Sequence, residues 1–189
     1  MRVRCSTVRL GIDLDGVVAD FTRGWIERYN ADFDADIPLD AVTEWDGPAG
    51  LTHFSDMRGF WRWARGDDEG SLFRHLDTYP GAVDALSRLA RRHHIVILTT
   101  KPGWAIHDTF AWISENRLPT REVHMLEDKW RIECDVYLDD SPYQVASIHR
   151  HRPDAVMCRF VRPWNEPVPG TRSVEGWDGF EALVAELEE

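Results

Sequence analysis

Four short apolar runs, each closing on residues with reactive side chains, set the strongest limit on what this chain can fold into. Val8 to Leu14 leads into Asp13-Leu14-Asp15-Gly16, and Ile95 to Leu98 leads into Thr99-Thr100. Val123 to Leu126 is followed by Lys129, and Val136 to Leu138 runs into Asp139-Asp140. Short runs rich in β-branched residues read as buried parallel strands. Between them lie stretches of helical spacing: Val17 to Tyr29, with Val18, Phe21, Trp25 and Tyr29 in phase, then Val83 to Arg92, Ala105 to Glu115 and Pro142 to Arg150. Ala155 to Phe160 reads as the last strand and Phe180 to Leu187 as a closing helix. Strands alternating with helices predict an α/β fold, a Rossmann-like open parallel sheet flanked by helices. Ligands of such sheets bind beyond the carboxyl ends of the strands, and all four polar clusters fall there.

One stretch departs from this rhythm. Asn30 to Gly70 is rich in Asp, Gly and Trp and has no long apolar run. Only Ser55 to Arg65, bearing Phe60, Trp61 and Trp63, has helical character, and Tyr79-Pro80-Gly81 then signals a turn before the next helix. The expected organisation is a core of residues 1–20 and 77–189, with a small, mainly helical cap of residues 21–76 inserted after the first strand. A chain of 189 residues suits one domain with such a lobe.

The net charge of −11 argues against a nucleic-acid polymer or an anionic membrane as partner. It leaves room for a small anionic substrate, because a bound metal and one lysine can invert the field locally. Cys5, Cys134 and Cys158 are odd in number and far apart, which suits a reduced, cytoplasmic protein better than a disulfide framework. The first residues carry no apolar run, so neither a signal peptide nor a membrane span is expected.

Each strand-end residue has a job in phosphoryl transfer. A carboxylate can attack phosphorus and form an aspartyl-phosphate, and Asp13 is placed for that. A second carboxyl must protonate the leaving oxygen and later take a proton from water, and Asp15 lies two residues on. Gly16 lets the chain turn where the backbone nears the ligand. Magnesium wants hard oxygen ligands, which Asp13, the Asp15 backbone carbonyl and an acid of the Asp139-Asp140 pair supply. The Thr99 hydroxyl can bond a phosphoryl oxygen, Thr100 is a further phosphate-binding candidate, and Lys129 adds positive charge where negative charge builds up.

With all four motifs in order, the chain resembles the haloacid-dehalogenase superfamily. Asp13-Leu14-Asp15-Gly16-Val17-Val18-Ala19-Asp20-Phe21 is further similar to the opening of the 5′(3′)-deoxyribonucleotidases. The ten-position spacing from Lys129 to Asp139, the return Leu72 to Leu86 and the ending Val174-Glu175-Gly176-Trp177 extend that likeness over most of the chain. It implies a magnesium-dependent phosphatase working through an aspartyl-phosphate on a small phosphomonoester, a (deoxy)nucleoside 5′-monophosphate first of all. A sugar phosphate or other small phosphoester is the alternative, and a non-catalytic nucleotide-binding regulator is the second. It also implies Asp140 as the direct metal ligand with Asp139 acting through a water, and relatives that are often dimers leave a homodimer open. Departures mark the substrate side. Thr99-Thr100-Lys101-Pro102 stands where those relatives carry Thr-Ser-Pro, so Lys101 adds a cation near the phosphate site. The cap aromatics Phe60, Trp61 and Trp63, with Phe21 leading to them, and Lys101 are candidates for a substrate pocket.

Other features read as structural. Asp32, Asp34 and Asp36 lack the Gly and Glu of a calcium loop, since Ile37 and Thr43 stand at those positions. Asp20 is expected mid-helix in a structural hydrogen bond, Trp164 in core or lid packing, and His149 to Arg152 as a solvated helix end.

Overall fold

The computed structural model describes residues 7–66 and 70–188; Cys5 lies outside the described residues. Six strands form one parallel sheet: β1 (Arg9–Ile12), β2 (His94–Thr99), β3 (Glu122–Met125), β4 (Val136–Asp139), β5 (Val156–Phe160) and β6 (Arg172–Val174). Their order is β3-β2-β1-β4-β5-β6, and every neighbouring pair is parallel. The helices are α1 (Phe21–Phe33), α2 (Gly47–Leu51), α3 (Met57–Arg65), α4 (Ala82–Leu89), α5 (Ile106–Glu115), α6 (Pro142–His151) and α7 (Trp177–Glu186). This is the expected α/β architecture.

The inner strands β1, β2 and β4 are largely apolar on both faces because both faces are covered. Leu10, Ile12, Ile95, Ile97, Val136 and Leu138 point into one core with Leu86 of α4 and Phe180, Leu183 and Val184 of α7. Val96, Leu98, Tyr137 and Met157 point the other way, onto Val145 and Ile148 of α6. At Gly11 a Cβ would lie 2.8 Å from Leu98 Cδ1 and 3.0 Å from Cys134 Sγ, so the second face admits no side chain there.

Three sequence readings change. Val17 and Val18 are not helical: the amides of Val17, Val18 and Ala19 all turn back to the Leu14 carbonyl, and Asp20 starts α1 as its N-terminal cap. A carboxylate there accepts an otherwise orphaned amide, here that of Arg23 at 3.2 Å. Ala155 to Phe160 is not the last strand, because β6 adds to the edge beyond it. Only Val174 of its three residues is buried, so it carries no apolar run to find. The five-residue α2, with Pro48 in its first turn, was likewise invisible to periodicity.

The chain leaves the sheet after Ala19 and returns to it at Thr78 through a narrow junction. Ala19 and Thr78 form an antiparallel bridge, Asp20 N donates to Asp77 O (2.9 Å), and Tyr79 N donates to Val18 O (2.8 Å). The returning leg is tied to α5 by Trp112 Nε1 donating to Leu76 O at 2.6 Å and by Ser71 N donating to Asp108 Oδ2 at 2.8 Å.

The cap at Asp20 gives a stability prediction. Asp20→Ala should lower unfolding free energy by about 1 kcal/mol, read as a lower urea midpoint at unchanged slope. An unchanged midpoint would show that the cap contributes nothing.

Candidate active site

The strand order reverses between β1 and β4, where a crevice opens at the carboxyl ends of an α/β sheet. Ile12 pairs with Leu138, and Asp13 N donates to Leu138 O at 3.0 Å, so Asp13 and Asp139 leave the sheet side by side. Asp13, Asp139 and Asp140 are all buried, with one carboxylate oxygen of each within 4.8 Å of the others. Lys129 Nζ reaches this group from the turn after β3, 2.9 Å from Asp13 Oδ1 and 2.6 Å from Asp139 Oδ2. Burial alone would lower the lysine's pKa, but Asp13 and then Asp139 override it and hold it above the ordinary range.

The two acids of the pair have different surroundings. Asp139 accepts from Lys129 through Oδ2 and from Ser141 N (2.9 Å) through Oδ1, so both its oxygens are engaged. Burial raises its pKa to about 7, against the pull of Lys129. Among the described residues, the Asp140 carboxylate accepts from Trp164 Nε1 alone, at 2.9 Å on Oδ2, while Oδ1 is buried without a partner. Burial first, then the charges of Asp13 and Asp139, drive its pKa well above the usual carboxylate value. A buried, unpartnered oxygen among like charges is the environment a hard cation relieves, and the all-oxygen donor set fits magnesium. Gly16 makes the cluster possible: at φ +77°, its Cβ would stand 2.1 Å from Asp140 Oδ2. The loop's own hydrogen bonds run to the Leu14 and Ala19 carbonyls, not to that of Asp15.

The other predicted residues divide. Thr99 is fully buried, and its Oγ1 has no partner at the end of β2. Thr100 is exposed, and its hydroxyl donates to Leu126 O at 3.0 Å, away from the cluster. Asp15 is paired through Oδ2 with Lys101 Nζ at 2.5 Å. Burial raises the Asp15 pKa and lowers that of Lys101, and each group partly offsets the effect on the other.

Of the four aromatic candidates, Phe60 and Trp63 are turned away. Phe60 is fully enclosed, edge-on to Trp25 and Trp61. Trp63 donates Nε1 to Asp32 Oδ2 (2.7 Å) and packs on Tyr29 and Phe54. Phe60 fills the interior of the inserted segment, and Trp63, half-buried, packs along its side. Phe21 and Trp61 instead stack on Phe73, at centroid distances of 5.7 and 6.2 Å. Phe73 meets Trp104 on the core side and carries the Lys101 ammonium 3.8 Å from its ring centroid. A continuous aromatic wall thus leads to Asp15.

A family model described as "5' nucleotidase, deoxy (Pyrimidine), cytosolic type C protein" matches residues 6–188. The chain belongs to this family. Membership makes it a phosphoric monoester hydrolase of the 5′-nucleotidase type. This family member is 26% identical to a provisionally named 5′(3′)-deoxyribonucleotidase of Chlorobaculum tepidum, over 95% of this chain and 92% of the relative. It is 27% identical to the mitochondrial 5′(3′)-deoxyribonucleotidase of Mus musculus, over 75% of this chain and 68% of that protein. Among solved structures, a haloacid dehalogenase-like hydrolase from Streptococcus pneumoniae shares the fold, with a TM-score of 0.64 at 10% identity over 95% of this chain and 98% of that one. A Bacillus subtilis HAD-hydrolase bound to magnesium does so at 0.62 and 13%, over 94% and 98%. No described helix is long and apolar enough to cross a membrane.

Sequence reasoning missed four contributors. Trp164, read as packing, donates to Asp140, and the need of a buried indole N–H for a partner was the available signal. Asn165 Nδ2 holds the Asp140 carbonyl at 2.7 Å, and Arg162 Nε holds the Gly16 carbonyl at 2.7 Å. Phe73, 3% exposed, joins Phe21 and Trp61 to Lys101.

The crowding of acids predicts a pH-dependent cost. A carboxyl whose pKa is higher folded than unfolded loses stability as pH rises from the unfolded value through the folded one. Without divalent cations, Asp140→Asn should therefore be more stable than the parent protein, with a margin that widens as pH rises above the ordinary carboxylate range. Thermal unfolding in EDTA across that rise in pH tests it, and a variant less stable throughout contradicts it.

Proposed function

We propose that this family member hydrolyses (deoxy)nucleoside 5′-monophosphates, with Asp13 as nucleophile, Asp15 as general acid and base, and magnesium held by Asp13, Asp140 and the Asp15 carbonyl. The division into a core of residues 1–20 and 77–189 and a substrate-facing cap of residues 21–76 belongs to this reading. The observation that carries it is the aromatic wall joined to a buried phosphoryl-transfer cluster. The cluster supplies chemistry common to any phosphate monoester, and the wall offers a face that a nucleobase can stack on and a bare sugar cannot.

Asp13 Oδ1 is anchored by Leu14 N at 2.7 Å and by Lys129, which leaves Oδ2 to attack phosphorus. As the new P–O bond forms, the bond to the 5′-oxygen breaks and Asp15 gives that oxygen its proton. The unpartnered Thr99 hydroxyl and Lys129 hold phosphoryl oxygens. Asp15, now ionised, takes a proton from a water that attacks the phosphoryl group, and free phosphate leaves Asp13 regenerated. Bound magnesium would neutralise the charge shared by the carboxylates and the phosphoryl oxygens. Asp139, with both oxygens engaged, serves to fix Lys129.

Two measurements test this reading. One stacked base is worth roughly 1–3 kcal/mol, so kcat/KM for a nucleoside 5′-monophosphate should exceed that for ribose 5-phosphate by about ten-fold or more. Trp61→Ala and Phe21→Ala should narrow that ratio. A preference for the sugar phosphate would reverse the substrate assignment. Turnover should also cease in EDTA and return with magnesium, and magnesium should raise the melting temperature of the parent protein above that of Asp140→Asn. Full activity in excess chelator would remove the metal from the account.

A further inference from the structure

Lys101 occupies an unusual place for a lysine. Its side chain is 2% exposed, and its ammonium has two close neighbours, Asp15 Oδ2 at 2.5 Å and the face of Phe73 at 3.8 Å. The stem starts from a restrained backbone, since a residue before proline is confined to extended conformations and Pro102 follows at φ −64°. The far side of the ammonium is equally fixed. Phe73 is 3% exposed and is stacked with Phe21 and Trp61, with Trp104 against it as well. The position of Nζ is therefore set by packing before any substrate arrives.

The consequence falls on Asp15. Its Oδ2 is taken by Lys101, whereas its Oδ1 is buried and has no partner. A carboxyl held by one oxygen presents the other in a single direction. We propose that Lys101 is a positioning residue for the acid–base step: it grips Asp15 through Oδ2 so that Oδ1 is the atom that exchanges protons with the substrate and with water. The inference rests on the phosphatase reading above. In the first half-reaction the proton on Oδ1 passes to the 5′-oxygen as the P–O bond breaks. In the second, a proton of the attacking water passes to Oδ1 as the water oxygen bonds to phosphorus and the Asp13–phosphorus bond breaks. Lys101 keeps its protons and its grip on Oδ2 throughout. Because the ammonium also rests on Phe73, the same contact couples the aromatic wall to the acid.

The role predicts a dependence on the leaving group. A nucleoside 5′-alkoxide needs a proton to depart, whereas p-nitrophenolate leaves well without one. Lys101→Met keeps the stem on Phe73 and removes the grip, and Lys101→Arg keeps a cation. With saturating magnesium, kcat and KM are measured for the parent protein and both variants, on a nucleoside 5′-monophosphate and on p-nitrophenyl phosphate. Lys101→Met should lose kcat/KM, which reports the step in which the leaving group departs, about ten-fold more on the nucleotide than on the aryl ester, part of the ~10²–10⁴ that general acid catalysis supplies. Its KM should stay within about three-fold on both substrates, a uniform-binding criterion, and Lys101→Arg should recover part of the loss. A raised KM at unchanged kcat would make Lys101 a phosphate contact and overturn the proposal. An equal loss of kcat/KM on both substrates would overturn it too, by making the residue structural. A parent protein that releases phosphate from neither substrate would instead overturn the phosphatase reading, and this inference with it.

Discussion

The structure depends on an unbalanced charge held out of water. Asp13, Asp139 and Asp140 converge at the carboxyl ends of β1 and β4, and Lys129 is the ammonium seated among them. With all three acids ionised, the group carries a net charge of −2. Two unit charges 4 Å apart interact by about 4 kcal/mol at an effective dielectric of 20. A fold that gathers such charges beneath its surface loses stability by doing so unless a dication joins them. Around the cluster, neighbours hold it in place rather than neutralise it. Trp164 and Asn165 fix Asp140, Ser141 N fixes Asp139, and Gly16 leaves the space that Asp140 occupies.

The sheet explains how distant residues meet there. With β1 central and connections running to opposite sides, the ends of β1 and β4 become neighbours although their acids lie more than a hundred residues apart in sequence. The end of β2 brings Thr99 alongside, and the turn after β3 brings Lys129. The inserted segment is tied to this end of the sheet by the Ala19–Thr78 junction and by the bonds from Ser71 and Leu76 to α5. The aromatic wall is thereby carried to the first motif.

What could be read from the sequence follows from how local each signal is. A strand buried on both faces must be an apolar run, so the ends of β1, β2 and β4 are visible, and the residues that follow them can be located from their order alone. Thr99 and Thr100 could not be separated, because adjacent residues at a strand end point to opposite sides and only pairing reveals which side is the site. Phe60, Trp61 and Trp63 are alike in type and close in sequence, yet helix α3 sends the first into the interior of the insertion, the second to Phe73 and the third to Asp32 at its edge. That sorting depends on long-range packing. Phe73 and Trp164 were missed for the same reason. The short β6, with two exposed residues of three, leaves no pattern to detect.

The central claim is that the substrate's phosphoryl group passes through Asp13. The most direct measurement is to quench turnover of a nucleoside 5′-monophosphate in acid during the steady state and map the modified residue by peptide mass spectrometry. The account predicts a phosphoryl group on the peptide containing Asp13, absent from Asp13→Asn. Rapid turnover with that peptide unmodified, or an Asp13→Asn variant that turns over at the parent rate, would contradict it.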